Sequence, residues 1–246
     1  SDAPEIVPVD TLGQITGKAE GTAHITITSE NRQTFVTRVE VGRDLSVRRE
    51  KAVMMFTGDI MCAVKHQRLA SGRQHDYFDS FRRVRDILSG ADFTAGVLET
   101  TSIDRAPFEF EQLRLLTGAP NCNSPSTFIS AVAAAGFNAV VTANNHNSDC
   151  GVEGLKAADS EIRRCGMLNI GSMGHSLVMT DVKGIKVAVI ATTMITNNTG
   201  WDLSKSGLVN PAGIYSRDYF TELVNSARSM GAEFIAAYQH WGSMNS

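Results

Sequence analysis

The sequence predicts a layered α/β sandwich behind a small all-β fragment, and three observations predict it. From Ala52 onward, short β-branched apolar runs alternate with amphipathic stretches of helical period, the pattern of strands joined through helices. Before residue 43 the period is two, with no helical stretch between, which is the mark of half-buried strands. Several apolar runs after Ala52 also stop abruptly at polar or ionisable residues, at Asp59, Glu99, Asn145-His146 and His240. Strand tips of this kind are where α/β sheets bind ligands.

The chain of 246 residues suits one large domain with a smaller companion. The boundaries read as 1–43 for the β fragment, 44–51 for a charged linker and 52–246 for the α/β domain. A formal net charge of −3 gives no general attraction for nucleic acid. No apolar run approaches membrane-spanning length and no signal-peptide pattern opens the chain. Cys62, Cys122, Cys150 and Cys165 lack the short paired spacing of a zinc ribbon or redox motif and read mostly as free thiols.

In the first part, Gly21 to Ser29 sets Ala23, Ile25 and Ile27 against polar residues, and Gln33 to Val41 does the same with Phe and Val. The Glu30-Asn31-Arg32 connection makes these a hairpin with one buried face. Val9 to Gly17 reads as strand, turn and strand. Such strands form half of a sandwich, because each needs a facing sheet.

In the second part, Val53 to Thr57 is a strand running into Gly58-Asp59-Ile60-Met61. Tyr77 to Leu88 carries Phe78, Phe81, Val84, Ile87 and Leu88 near helical spacing, predicting one helix. Asp92 to Leu98 is a strand leading into Glu99-Thr100-Thr101. Residues 101–125, with Pro107, Pro120 and Pro125, are irregular. A helix begins at Ser124 or Ser126, with Pro125 suited to an early position, and reaches Ala135. Val140 to Thr142 is a buried strand whose tip carries Asn145, His146 and Asp149. Val152 to Cys165 is an amphipathic helix closed by Gly166. Leu168 to Gly171 and Ile185 to Thr192 are strands, the second entered through Lys183-Gly184. Met194 to Asp218 is a polar loop holding Trp201, Tyr219 to Met230 a helix, and Phe234 to Tyr238 the last strand, ending at Gln239-His240-Trp241-Gly242.

Each polar tip has an ordinary reading: Asp59 as a helix cap, Glu99 in a solvated turn, His240 stacked on Trp241. Four such residues at equivalent strand ends favour a common site. Carboxylate, amide oxygen and imidazole nitrogen form the donor set that suits manganese, iron or zinc. Converging tips can hold two ions about 4 Å apart for hydrolysis. Cys62 and Cys150, beside these motifs, read as small apolar residues in the core.

Two resemblances sharpen this reading. Val9-Asp10, Gly13 to Gly17, Gly21-Thr22-Ala23 and Ile25-Thr26 resemble the second half of a bacterial Ig-like domain of group 2. That likeness implies a structural module in an extracytoplasmic, secreted or cell-surface setting. Phe56 to Met61, Val97 to Thr100, Gly136-Phe137-Asn138, Ala143 to His146 with Asp149 and Gly151, and His240-Trp241-Gly242 resemble the CapA family, similar to poly-γ-glutamate capsule biosynthesis proteins of calcineurin-like metallophosphatase fold. The family likeness implies Asp59 as a ligand of a first metal, Glu99 as a bridging carboxylate, and Asn145 and His240 as ligands of a second. It implies His146 as acid or electrostatic stabiliser, oriented by Asp149. The implied reaction is metal-assisted hydrolysis. The implied partners are an anionic capsule-type polymer, such as poly-γ-glutamate, and other capsule-assembly proteins. Two departures stand out: Met61 occupies the place where metallophosphatases carry a histidine, and the chain stops at Ser246 before the histidine pair that completes such sites. The sequence therefore reads as C-terminally truncated and leaves two functions open, a hydrolase or a non-catalytic surface protein that binds or anchors polymer.

Overall fold

The computed structural model describes residues 1–11, 13–28, 34–42, 51–62, 76–104, 122–197, 203–208 and 210–242. The expected connection at Glu30–Arg32, most of the linker, Pro107, Pro120 and Trp201 lie outside these residues. The chain divides into two compact units, Ser1–Glu50 and Lys51–Ser246.

In the first unit, β1 (Gly21–Thr28) and β2 (Thr34–Val41) pair antiparallel from Gly21↔Val41 to Thr28↔Thr34. Val7, Ala23 and Ile25 are buried, with Val39 and Val41 packed against them. The expected apolar face stops there: Ile27, Phe35 and Val36 are all more than half exposed. Among the described residues, Val9 to Gly17 holds one bridge, Val9↔Ile15, rather than two strands, and the Asp10 carboxylate accepts from Gln14 N at 2.8 Å.

The described residues of the second unit form two sheets. The first holds β3 (Met54–Ile60), β4 (Phe93–Leu98), β5 (Ala139–Val141) and β6 (Leu168–Ile170) in that order, all parallel. The second holds β7 (Leu177–Val182), β8 (Ile185–Thr193) and β9 (Phe234–His240), with β7 antiparallel and β9 parallel to β8. Strand alternation sorts the core into two layers. Phe93, Ala95 and Val97 of β4 meet Val187, Val189 and Ala191 of β8 between the sheets. Leu98 and Val140 face the other way, onto Phe128, Ile129, Val132 and Ile162 of α2 (Ser126–Ala134) and α3 (Gly151–Arg164). On the far side of the second sheet, α4 (Arg217–Ser229) packs against β7 and β8. Burial on both faces explains why β4 and β8 read as continuous apolar runs. Gly96 is required by this stacking: a Cβ there would lie 2.7 Å from Ile60 Cδ1 and 2.9 Å from Phe137. The architecture is the layered α/β sandwich expected above.

Several elements differ from the sequence reading. Tyr77 to Leu88 is not one helix. A 3₁₀ turn spans Tyr77–Phe81, and a short α1 spans Arg85–Ser89. Tyr77 and Phe81 turn inward onto Phe128, with ring centroids 5.7 and 6.3 Å apart, while Phe78, Val84 and Ile87 stay exposed. Helical spacing of apolar residues thus overstated the buried stripe. Strand β7 has no counterpart in the sequence reading; its mostly half-buried residues carry too weak a pattern. Pro125 precedes α2 rather than opening it, and the Asp104 carboxylate accepts from Ser126 N at 2.8 Å. Helix α4 starts two residues before Tyr219, where the Ser216 hydroxyl accepts from Tyr219 N at 3.2 Å. The polar loop after Met194 contains a 3₁₀ turn at Leu203–Ser206 and a bridge Thr193↔Ile214. Among the described residues, no helix is long and apolar enough to cross a membrane.

Candidate metal centre

The parallel register brings the expected tips to one end of the two sheets. Asp59, near the end of β3, pairs with Val97 of β4 after a register shift following Phe56. That irregularity re-aims the end of the strand, as bulges beside functional sites do, and Asp59 is exposed. Glu99 follows β4 directly; its N–H donates to Ile60 O at 3.0 Å, and the residue is only 7% exposed. His240 ends β9 beside Thr193 of β8. Asn145 and His146 sit in the turn after β5, which Asn144 fixes from both sides. Asn144 Nδ2 donates to Leu98 O at 2.9 Å, and its Oδ1 accepts from His146 N at 3.0 Å.

Three of the four expected ligands meet. His240 Nε2 lies 2.9 Å from Asn145 Oδ1 and 3.9 Å from Glu99 Oε1. Asp59 reaches the same space through its charge. Burial, then the Asp59 carboxylate, push the Glu99 carboxyl up to about 7, with Asp149 adding to this and His146 opposing it. Burial holds the His240 pKa below the usual histidine value, against the opposing charge of Asp59. His240 is thereby kept as the neutral imidazole that metals require, and Glu99 sits among carboxylates with no lysine or arginine among the groups shifting it.

A family model described as bacterial capsule synthesis protein PGA_cap matches residues 53–246. The chain belongs to the PGA_cap family. The chain is also similar to the capsule biosynthesis protein CapA of Bacillus anthracis, at 25% identity over 168 residues, 65% of this chain and 39% of the relative. The chain thus spans about two fifths of that curated relative's length. Among solved structures, the NAD nucleotidase of Haemophilus influenzae aligns over 91% of this chain and 32% of its own, at 13% identity and a TM-score of 0.39. That score is too low to define a common fold.

The cluster fits a divalent cation by its chemistry: two carboxylates, an amide oxygen and a neutral imidazole, with further carboxylates crowding a buried glutamate. Asp59, Glu99, Asn145 and His240 are the residues that would hold it. His146, Asp149 and Cys122 form a second cluster, with ligand-type atoms within 4.8 Å of one another. Here the short contacts are hydrogen bonds. Asp149 Oδ2 lies 2.7 Å from His146 Nδ1 and also accepts from the backbone N–H of Cys122. Burial, then the Asp149 and Glu99 carboxylates, push the Cys122 thiol far above its usual range, which keeps it protonated. Burial pulls the His146 pKa down, but the hydrogen bond and charge of Asp149 with that of Glu99 prevail, so the net direction is up. Asp149 thus holds the Nδ1 side of the His146 ring.

Asn197 and Cys122 escaped the sequence reading. Asn197 lies in the PGA_cap loop after β8, and its Oδ1 accepts from Asn145 Nδ2 at 3.2 Å. The one signal was a pair of adjacent amides, Asn197-Asn198, just past a strand tip. None of the four cysteines is in a disulfide, and burial raises the Cys150 pKa, against a reactive role.

Proposed function

We propose that this chain is a CapA-like protein of the cell envelope. In this reading its PGA_cap region binds one or two divalent ions, manganese, iron or zinc, and hydrolyses an anionic capsule-type polymer such as poly-γ-glutamate. The observation that carries the proposal is the convergence of Glu99, Asn145 and His240 at one sheet end, with Asp59 acting on both ionisable members. When bound, a divalent cation supplies Lewis acidity and activates water at neutral pH. Asp59, Glu99, Asn145 and His240 hold the cation. His146, its ring fixed by Asp149, stands beside the site as acid or electrostatic stabiliser. The first unit acts as an Ig-like structural module, and other capsule-assembly proteins are its neighbours at the cell surface.

Elemental analysis of the purified chain, with variants Asp59→Ala and His240→Ala, tests this reading, followed by an assay of poly-γ-glutamate shortening with and without chelator. Stoichiometric metal that both variants lose, and chelator-sensitive shortening, support it. Met61 favours a second reading, a non-catalytic protein that binds or anchors the polymer, because a thioether stands where a histidine ligand would complete a hard-ion site. Co-sedimentation with the polymer that ignores chelator, without shortening, decides for that reading.

A further inference from the structure

We propose that Asn197 is a positioning residue that turns the Asn145 amide so that its oxygen, and not its NH₂, faces His240 and Glu99. The inference rests on the reading of Asn145 as a metal ligand. An asparagine amide has an acceptor at one corner and a donor at the other, so engaging one end dictates the other. Asn145 Nδ2 donates to Asn197 Oδ1 at 3.2 Å, leaving Asn145 Oδ1 2.9 Å from His240 Nε2. Flipping Asn145 would set its NH₂ toward His240 and its oxygen against the Asn197 oxygen. Asn197 is itself held in register. Its N–H donates to Asn145 O at 3.3 Å, and Met194 N donates to His240 O at 2.9 Å. Thr193 Oγ1 donates to Ile195 O at 2.7 Å and lies 3.1 Å from Ile195 N. Residues 193–197 therefore join the tip of β8 to the tip of β9 and to the turn carrying Asn145. The remaining end of Asn197 faces the acid side: its side chain bonds the Asp149 carboxylate, and Nδ2 lies 3.2 Å from His146 Nδ1, which gives its own hydrogen to Asp149. One amide thus spans Asn145, His146 and Asp149, linking the ligand side of the centre to the acid side.

A calorimetric titration of Mn²⁺ into the full chain tests this as a double-mutant cycle over Asn145→Ala, Asn197→Ala and the double variant. Asn197→Ala is expected to weaken Mn²⁺ binding about 10-fold, the usual loss when an outer partner of a ligand is removed. In the Asn145→Ala background the same change is expected to cost nothing further, because its effect passes through Asn145. Should Asn197→Ala lack a cooperative thermal transition, Asn197→Leu, of similar volume and also without the acceptor, replaces it in the cycle with the same expected and overturning results. Asn197→Asp keeps the acceptor for Asn145 Nδ2 and is expected to bind more tightly than the acceptor-free variant. Binding by Asn197→Ala equal to wild type, or losses that add in the double variant, overturn the role of Asn197 while leaving the metal centre standing. Absence of Mn²⁺ binding by the wild-type chain overturns both.

Discussion

His240 Nε2 lies 2.9 Å from Asn145 Oδ1 across 95 residues of sequence, and this contact joins the ends of the two sheets of the second unit. His240 ends β9 in the second sheet, and Asn145 follows β5 in the first. Neither residue has a local reason to meet the other. Their register is set by the apolar layer between the sheets, where Ala139 and Val141 face Val189 and Ala191.

If the two residues share a cation, removing either must weaken its binding. Asn145→Ala and His240→Ala are each expected to reduce Mn²⁺ affinity by more than the about 10- to 100-fold typical of outer partners. Calorimetric titration against the unchanged thermal stability of each variant checks this. Retention of wild-type affinity by His240→Ala would remove β9 from the site.

Glu99 makes the folded protein pH-sensitive, and the sign follows from its raised pKa. Its carboxyl rises from 4.5 to about 7 on folding, so the folded chain keeps a proton that the unfolded chain has released. That contribution to stability is complete below the unfolded value and is lost as pH rises through the folded one. Without added metal, thermal stability is expected to fall from about pH 4.5 to 7, by at most on the order of 3 kcal/mol from this group. Glu99→Gln should flatten the slope. Added Mn²⁺ should reverse its sign, because a carboxylate must be deprotonated to ligate. Melting curves across that range read all three.

Asp149 raises the His146 pKa through a 2.7 Å hydrogen bond and its charge, against the effect of burial. Asp149→Asn removes the charge and leaves the shape, so the His146 pKa is expected to fall. Titration of its ring resonances by NMR measures this directly. An unchanged value would mean that Asp149 serves the fold and not the imidazole.

The strand ends were legible in the sequence because parallel strands buried on both faces are short apolar runs with sharp polar stops, as at Leu98-Glu99 and Val141-Thr142. Asp59, Glu99, Asn145, His146, Asp149 and His240 could therefore be picked out before any contact was known. Features set by tertiary context were not legible. Phe78 and Ile87 keep helical spacing yet face solvent, because the rings of Tyr77 and Phe81 decide which side of that segment is buried. Strand β7 has one buried residue, Val182, too few for an alternating pattern. Asn197 looks like any loop amide until the end of β8 is laid beside the turn after β5. Its role depends on the pairing of loops that no local period encodes.

Tyr238 gives a test of how the sheets hold the site together. It stands two residues before His240 on β9, and its hydroxyl lies 2.9 Å from Ala95 O on β4 and 3.2 Å from Thr57 O on β3. Burial pushes its pKa up to about 12, so at neutral pH it is a donor. The ring also meets Phe56 edge-on at 5.8 Å, so Tyr238→Phe keeps the apolar contact and deletes only the polar link between the strands carrying His240, Glu99 and Asp59. The loss is expected to be about 1 to 2 kcal/mol, the range for removing a buried hydrogen-bond partner. Urea unfolding should show a lower midpoint at unchanged slope. Because the link also aligns β9 with β4, Mn²⁺ affinity should fall with it. Full affinity in a destabilised Tyr238→Phe chain would mean that the apolar layer alone sets the spacing of His240 from Glu99.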